Sequence, residues 1–536
     1  CPAKEGVVTD EVFVMTSKGV YETCEDMWFK AYVLDAATRR LSDKSHVLFL
    51  QIADPADSVV WSEQYPVYGG RAAGQVYVGE DWAPGEYTVS AVCRSSLARD
   101  STAALMPRRI MVVDNLEQMD SVYKSRPAAV AGCAGGRNLG SLRISIGMDT
   151  TAFRTHSKVK LDVEVTDSAG RPVQAEVALS VFDWLYHYPW AYEDIVAHYN
   201  NAGVPSGEAF LPDGVAGHIS IGSKRMAKKM DTAGEQFLTA FAPEGPTNVL
   251  GSDAAGDFCV DRDMLATLPR YFFMKPVAGK ELKPQIEIYD PENDIERLIA
   301  ARPRQVSLSA INAQIDGDDD IPVMDTMPSL AGRRIYHLDD VEVTAKVRYR
   351  KRDKFYGYLD SITSMEGGAW VCGCSSSVGT FLNDYEAGYT HHPAWISDYH
   401  PKEHTRPIKG KTYEMIKYLP GGETGRGYVA DIKYVVWTGK EYSEEELLKA
   451  NGMWKVKGLY PDIKFDVPTE DDVRAGLFDN ANTLLWAPSL LTDEHGLTSV
   501  EFYTSDIRSV FYVVANAIDG NGGIGAAAVA FRTAGE

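Results

Sequence analysis

No segment of this 536-residue chain strings together the ~18–20 apolar residues that carry a helix across a bilayer. The nearest, Gly522 to Phe531, is short and rich in glycine and alanine, so a helical span is excluded. The alternating segments are irregularly spaced and separated by long polar stretches, whereas barrel strands recur about every ten residues. Positive charge is also scarce. With 54 Lys and Arg against 75 Asp and Glu, the net charge is −21, and such a surface repels polyphosphate. Nucleic acid is therefore not an expected partner, and the one basic cluster, Lys346 to Lys354, reads as the solvated end of a strand. Cysteine is sparse. Setting Cys1 aside leaves Cys24, Cys93, Cys133, Cys259, Cys372 and Cys374, whose pairing the sequence does not decide. A bridge between Cys24 and Cys93 and a set of small buried thiols both fit. Also missing are a G-x-S-x-G elbow, a Walker loop and a dinucleotide fingerprint. No catalytic residue and no cofactor are expected.

What is present is ordinary for a folded protein: 45% apolar residues, 10% aromatic and 24% charged. The length exceeds the roughly 250–300 residues at which a single core stops growing, so several domains are expected. Short alternating strands dominate. Residues Val12 to Asp35 alternate, break at Lys18-Gly19 and alternate again, which predicts a hairpin with Val12, Val14 and Thr16 on one face and Met27, Phe29, Ala31 and Val33 answering them. More such strands run to Asp114 and make a first sandwich over 1–114. An Ala/Gly/Arg-rich linker follows over 115–140. A second set of strands over 141–230 carries the hairpin turn Asp167-Ser168-Ala169-Gly170-Arg171-Pro172 and then an aromatic, partly helical insertion. Strands return over 231–335, an irregular segment fills 336–465, and long strands around Asp493-Glu494-His495-Gly496 close the chain over 466–536.

Several of these stretches resemble known families. Thr16, Lys18, Tyr21, Glu25 and Phe29 match the T-D-K-x-x-Y-x-x-G-E-x-x-x-F opening of macroglobulin-like domains, with Ser17 for the Asp and Cys24 for the Gly. The D-x-x-G-D-F turn at Asp253 to Phe258 resembles the small carboxypeptidase-regulatory-like sandwich. His337 to Lys346 resembles the opening of a plug domain from TonB-dependent outer-membrane receptors, and Tyr413 to Gly421 is similar to the short helix such plugs carry next. Thr483, Leu484, Trp486, Pro488, Thr492, Asp493, Gly496 and Phe502 follow the spacing of a C-terminal module in large envelope proteins of Gram-negative gut bacteria. The chain opens on Cys1, with no Met and no signal segment, and so resembles a bacterial lipoprotein cleaved before a lipidated cysteine. These resemblances imply an all-β fold of several immunoglobulin- or macroglobulin-like sandwiches with a small α+β plug-like segment. They imply a non-catalytic lipoprotein of the cell envelope, anchored to the outer membrane through Cys1. Its role would be binding, scaffolding or assisting transport, with an outer-membrane or surface protein, such as a TonB-dependent receptor, as partner.

Candidate sites are few. Trp184, Tyr186, Tyr188, Trp190 and Tyr192 alternate, and such rings can stack on sugar faces, which makes glycan binding an alternative function. Packing at a domain junction is the competing reading. His400-Pro401-Lys402-Glu403-His404 spells H-x-x-E-H, an inverted zinc-protease motif in which His400 and His404 would bind the metal and Glu403 act as base, but Pro401 opposes the helix this needs. A looser zinc site would gather His391, His392, His400 and His404 with Cys372 and Cys374. Ala233-Gly234-Glu235-Gln236 resembles the thioester motif Cys-Gly-Glu-Gln, but Ala233 replaces the thiol, so no thioester forms. Asp316 to Asp320 lacks the ligand order of a calcium loop.

Overall fold

The computed structural model describes residues 10–115, 140–188, 194–201, 214–222, 236–289 and 442–534 with a few gaps, and isolated stretches between 295 and 436. Strands predominate, and the chain is all-β with a few short helices. The first sandwich has a three-stranded sheet with Asp26–Asp35 between Asp10–Thr16 and Arg71–Tyr77. Its second sheet orders Val20–Glu22, Arg108–Val113, Gly85–Cys93, Val47–Ala53 and Val59–Pro66. Val14, Met27, Phe29, Ala31 and Val33 meet Leu48, Leu50, Ile52, Val89 and Val112 between the sheets.

The predicted first hairpin is only partly what forms. Val12 does pair with Val33, Val14 with Ala31 and Thr16 with Phe29. No tight turn joins the two strands at Lys18-Gly19, however. The chain crosses there to the other sheet, where Val20–Glu22 runs parallel to Met111–Val113 before returning. Two contacts force this path. Gly19 lies under Tyr188, with room for no side chain, since an added Cβ would stand 2.6 Å from that residue's Cβ. The Tyr21 hydroxyl clasps the loop, accepting from Lys18 N and donating to Lys18 O, both at 3.0 Å.

The second sandwich corrects the expected division between 141–230 and 466–536. One sheet orders Ala152–Arg154, Ile524–Ala534, Val510–Asp519, Ala175–Asp183 and Thr483–Leu491, and the other orders Leu497–Tyr503, Lys158–Asp167 and Leu142–Met148. Ala175–Asp183 is buried at all nine positions, so it needs neighbours on both edges, and both come from the C-terminal strands. The two stretches are therefore one domain with a long insertion. Likewise, a third sandwich draws Val215–Ile221 from before residue 231 and Trp454–Lys457 from after residue 335. It adds them to Phe237–Phe241, Thr247–Gly251, Asp257–Val260, Tyr271–Pro276 and Pro284–Tyr289. The helix expected from Tyr413 onward does not form over the described residues. Thr412–Leu419 is a strand paired with Tyr428–Val436, in keeping with its Thr, Ile and Tyr content and the Pro420-Gly421 stop. His337 to Lys346 lies outside the described residues.

One turn device recurs, and the sequence shows it at Asp167, Asp253 and Asp493. Asp54, Asp167, Asp253, Asp493 and Asp519 each accept with Oδ1 from the backbone N–H two and four residues on. In each turn the residue three positions on has a positive φ: Asp57, Gly170, Gly256, Gly496 and Gly522. Backbone N–H donors hold the carboxyls of Asp167, Asp253 and Asp493 below the usual range. Gly496 carries an added constraint, because a Cβ there would meet Val165 O at 2.4 Å, whereas Gly170 has nothing within 4 Å. Gly170→Ala is expected to cost about 1–2 kcal/mol, the left-handed penalty alone. Gly496→Ala should cost clearly more, as read from urea midpoints of the two variants. Equal losses would show that the close approach is immaterial.

Candidate functional site

The first and second sandwiches meet through the faces that point away from their own cores. On one side these are Phe13, Met15, Trp28, Tyr32 and Leu34, and on the other Ala178, Phe182, Tyr512, Val514, Ile518 and Ile524. Leu185, Tyr186 and Tyr188 close the junction, together with Ile195, Val196 and Tyr199 from the helix Ile195–Asn201. The sheet carrying Asp26–Asp35 is thus buried on both faces, and each large side chain so covered contributes about 1.5–3 kcal/mol.

Two lysines are buried with these apolar groups. Lys30 Nζ stands 2.6 Å from Glu176 Oε1 and donates to Ser489 Oγ at 2.7 Å. Arg71 Nε donates to the other oxygen of Glu176. Burial pushes the Glu176 carboxyl up, but the Lys30 ammonium and Arg71 guanidinium outweigh it and hold the group below the ordinary range. Burial lowers Lys30, with Glu176 opposing.

Lys18 is 1% exposed. Its Nζ lies 2.5 Å from Glu25 Oε1, 2.7 Å from Asn482 Oδ1 and 4.3 Å from the centre of the Tyr186 ring. Asn482 Nδ2 in turn donates to Glu25 Oε2 at 3.3 Å, and the Thr483 hydroxyl donates to Asn482 Oδ1 at 3.2 Å. Desolvation raises the Glu25 carboxyl above its ordinary value, against the pull of Lys18. Lysine, carboxylate and carboxamide therefore form a closed ring of contacts, with the lysine and the carboxamide on different sandwiches.

The aromatic cluster is a correction. Tyr186 is 2% and Tyr188 1% exposed, and their hydroxyls donate to Glu22 and Glu86 of the first sandwich. Rings so covered offer no face to a sugar; they fill the junction, with Trp184 packed beside them. Trp190 and Tyr192 lie outside the described residues, as do Cys1, His391, His392, His400 and Glu403. His404 opens the strand His404–Thr405 and sits opposite Cys372 in the register, so the helix that H-x-x-E-H requires does not include it. Among the described residues no group of three His, Cys, Asp or Glu side chains is placed to hold a metal. No bridge joins Cys24 to Cys93, while Cys259 is in a disulfide. An open cleft of about 600 Å³ lies between His156, Lys158 and Tyr503 and the short helix Glu470–Arg474. Its cations are committed to neighbours, Lys158 to Glu501 at 2.8 Å and Arg474 to Glu470.

Lys30, Arg71, Glu176 and Asn482 belong to no motif in the sequence. One signal was available, since alternation sets Lys30 between Trp28 and Tyr32, and two such rings beside a lysine mark a face that something covers.

No protein-family model matches the chain, and no curated protein matches it. Among solved structures, Salmonella alpha-2-macroglobulin reacted with methylamine is 10% identical, with a TM-score of 0.27 over 98% of this chain and 40% of its own. Escherichia coli alpha-2-macroglobulin activated by porcine elastase is 9% identical, with a TM-score of 0.26 over 98% of this chain and 44% of its own. The E. coli adhesin FdeC is 14% identical over 34% of this chain and 48% of its own, with a TM-score of 0.15. The chain spans less than half the length of these macroglobulins, and scores this low carry no argument about activity.

Two outcomes follow from the buried groups. Glu176→Ala strands Lys30 without its counter-charge and should cost about 3–5 kcal/mol in denaturant unfolding. A loss near zero would show the pair to be open to water. His187, packed edge-on to Tyr512 with ring centres 5.5 Å apart, has its imidazole pushed down to about 4 by burial. The unfolded chain takes the proton first, so stability should fall by roughly 3 kcal/mol as pH drops from about 6.5 to about 4. His187→Phe should flatten that slope in a pH series of urea midpoints, and an unchanged slope would refute the assignment.

Proposed function

We propose that the chain is a non-catalytic contact module of the bacterial cell envelope, a rigid set of sandwiches that presents one open face to a protein partner. The observation that carries this reading is the contrast between two sheets. The sheet centred on Asp26–Asp35 is covered on both sides. The sheet of Leu142–Met148, Lys158–Asp167 and Leu497–Tyr503 buries Val159, Leu161, Val163 and Val165 and leaves Lys158, Lys160, Asp162, Glu164 and Glu501 in water. Its exposed face carries both signs of charge, interleaved, with ion pairs from Lys158 to Glu501 at 2.8 Å and from Lys160 to Asp162 at 2.7 Å. Interleaved charge of both signs can steer encounter with a complementary surface.

An envelope setting and an outer-membrane receptor as partner belong to the same reading, and they rest on the family resemblances of the sequence. The test is capture of partners from solubilised envelopes on the full chain, with Lys160→Glu and Glu164→Lys as paired variants. A surface protein recovered by the native chain and reduced at least tenfold by the double variant supports the reading. Recovery of no envelope protein overturns it, and equal recovery by both forms moves the contact away from this face.

A further inference from the structure

We propose that Lys18 and Asn482 become joined by an amide bond that the folded protein forms by itself, with Glu25 as the catalytic residue, stapling the first sandwich to the second. An ion pair alone would account for Lys18 and Glu25. The carboxamide of Asn482 is the added element, and every one of its polar atoms is aimed. Its oxygen accepts from Lys18 Nζ at 2.7 Å and from the Thr483 hydroxyl at 3.2 Å, and its nitrogen faces Glu25 Oε2 at 3.3 Å. The carbonyl carbon is one bond from that oxygen, which sets the amine beside the atom it would attack, on a loop of one sandwich facing the residue before a strand of the other. Asn482 is fixed from behind by its carbonyl, which accepts from Asp183 N at 2.8 Å. The rings of Tyr21 and Tyr186 lie 5.2 and 4.3 Å from Nζ and cover it from water.

The chemistry closes with these groups alone. Lys18 begins as an ammonium and passes a proton to Glu25 Oε1, 2.5 Å away, which frees its lone pair. The neutral Nζ then adds to Asn482 Cγ, and the charge gathering on Oδ1 is met by the Thr483 hydroxyl. Glu25 hands the proton to Nδ2 through its other oxygen and takes the surplus proton from Nζ. The Cγ–Nδ2 bond breaks as the Cγ–Nζ bond becomes the new amide. Ammonia departs with the remaining proton as ammonium, and Glu25 ends as the carboxylate it began. Nothing is oxidised or reduced, and no co-reactant enters. Burial, which raises Glu25, suits a group that must hold and release a proton. Its side chain is 23% exposed where that of Lys18 is 2%, which leaves the ammonium a way out.

The bond would tie positions 464 residues apart in sequence, beyond the reach of reductants. It is independent of the contact-module reading, and its failure leaves that reading untouched. Intact mass of the full-length, reduced protein decides it. The expected mass is that of the sequence less one ammonia, with trypsin failing to cut after Lys18 and a branched peptide joining the Lys18 and Asn482 segments. Glu25→Gln should restore the full mass with an unchanged circular dichroism spectrum, and Asn482→Ala should do the same by removing the acceptor. Native protein at the full sequence mass, with both peptides recovered linear, overturns the proposal. A Glu25→Gln variant that still loses ammonia overturns the role given to Glu25.

Discussion

The structure depends on covering the outer face of the sheet formed by Asp10–Thr16, Asp26–Asp35 and Arg71–Tyr77. Phe13, Met15, Trp28, Tyr32 and Leu34 cannot remain in water as a continuous patch. The second sandwich supplies Phe182, Tyr512, Val514 and Ile518 against them, and the association of the two domains becomes part of the folding of each. The crossover at Lys18-Gly19, the packing of Tyr188 on Gly19 and the burial of two lysines all follow from that contact.

A junction made only of apolar groups would hold but would be poorly oriented. The polar groups within it set the register. Glu176 reaches Lys30 and Arg71 of the first sandwich, Ser180 donates to Ser17 O, and Lys18 meets Asn482. Sliding one sandwich over the other would leave these groups buried and unpaired, a far larger loss than the pairs contribute when made. The third sandwich is attached by similar means. Val47 and Phe49 of the first sandwich enter its core, and Glu63 receives Arg270 and, at 3.5 Å, Lys457.

Much of this was legible in the residues, and the limit is specific. Alternation identified the strands, and Asp-x-x-Gly located the turns at Asp167, Asp253 and Asp493, because that device is local and closes within five residues. The macroglobulin-like pattern marked Lys18, Tyr21 and Glu25 without saying what they touch. Pairing between distant segments was not legible. Ala175–Asp183 looks like any buried strand, and nothing in it announces that its neighbours start at residues 483 and 510. The aromatic run at Trp184 fits both packing and sugar binding as a sequence, and only burial separates a ring that packs from a ring that waits for a ligand.

By itself the sequence determined the all-β class, the strand faces and the turns at Asp167, Asp253 and Asp493, since each depends on side-chain period and on backbone torsions over a few residues. Tertiary structure decided which strands share a sheet, which exposed-looking faces are covered and which charges are buried. Those depend on contacts between positions hundreds of residues apart, whose free energy exists only once the surfaces meet. The meeting of Lys18, Glu25 and Asn482 is the clearest instance: three ordinary polar residues that acquire a shared chemistry when two sandwiches close on them.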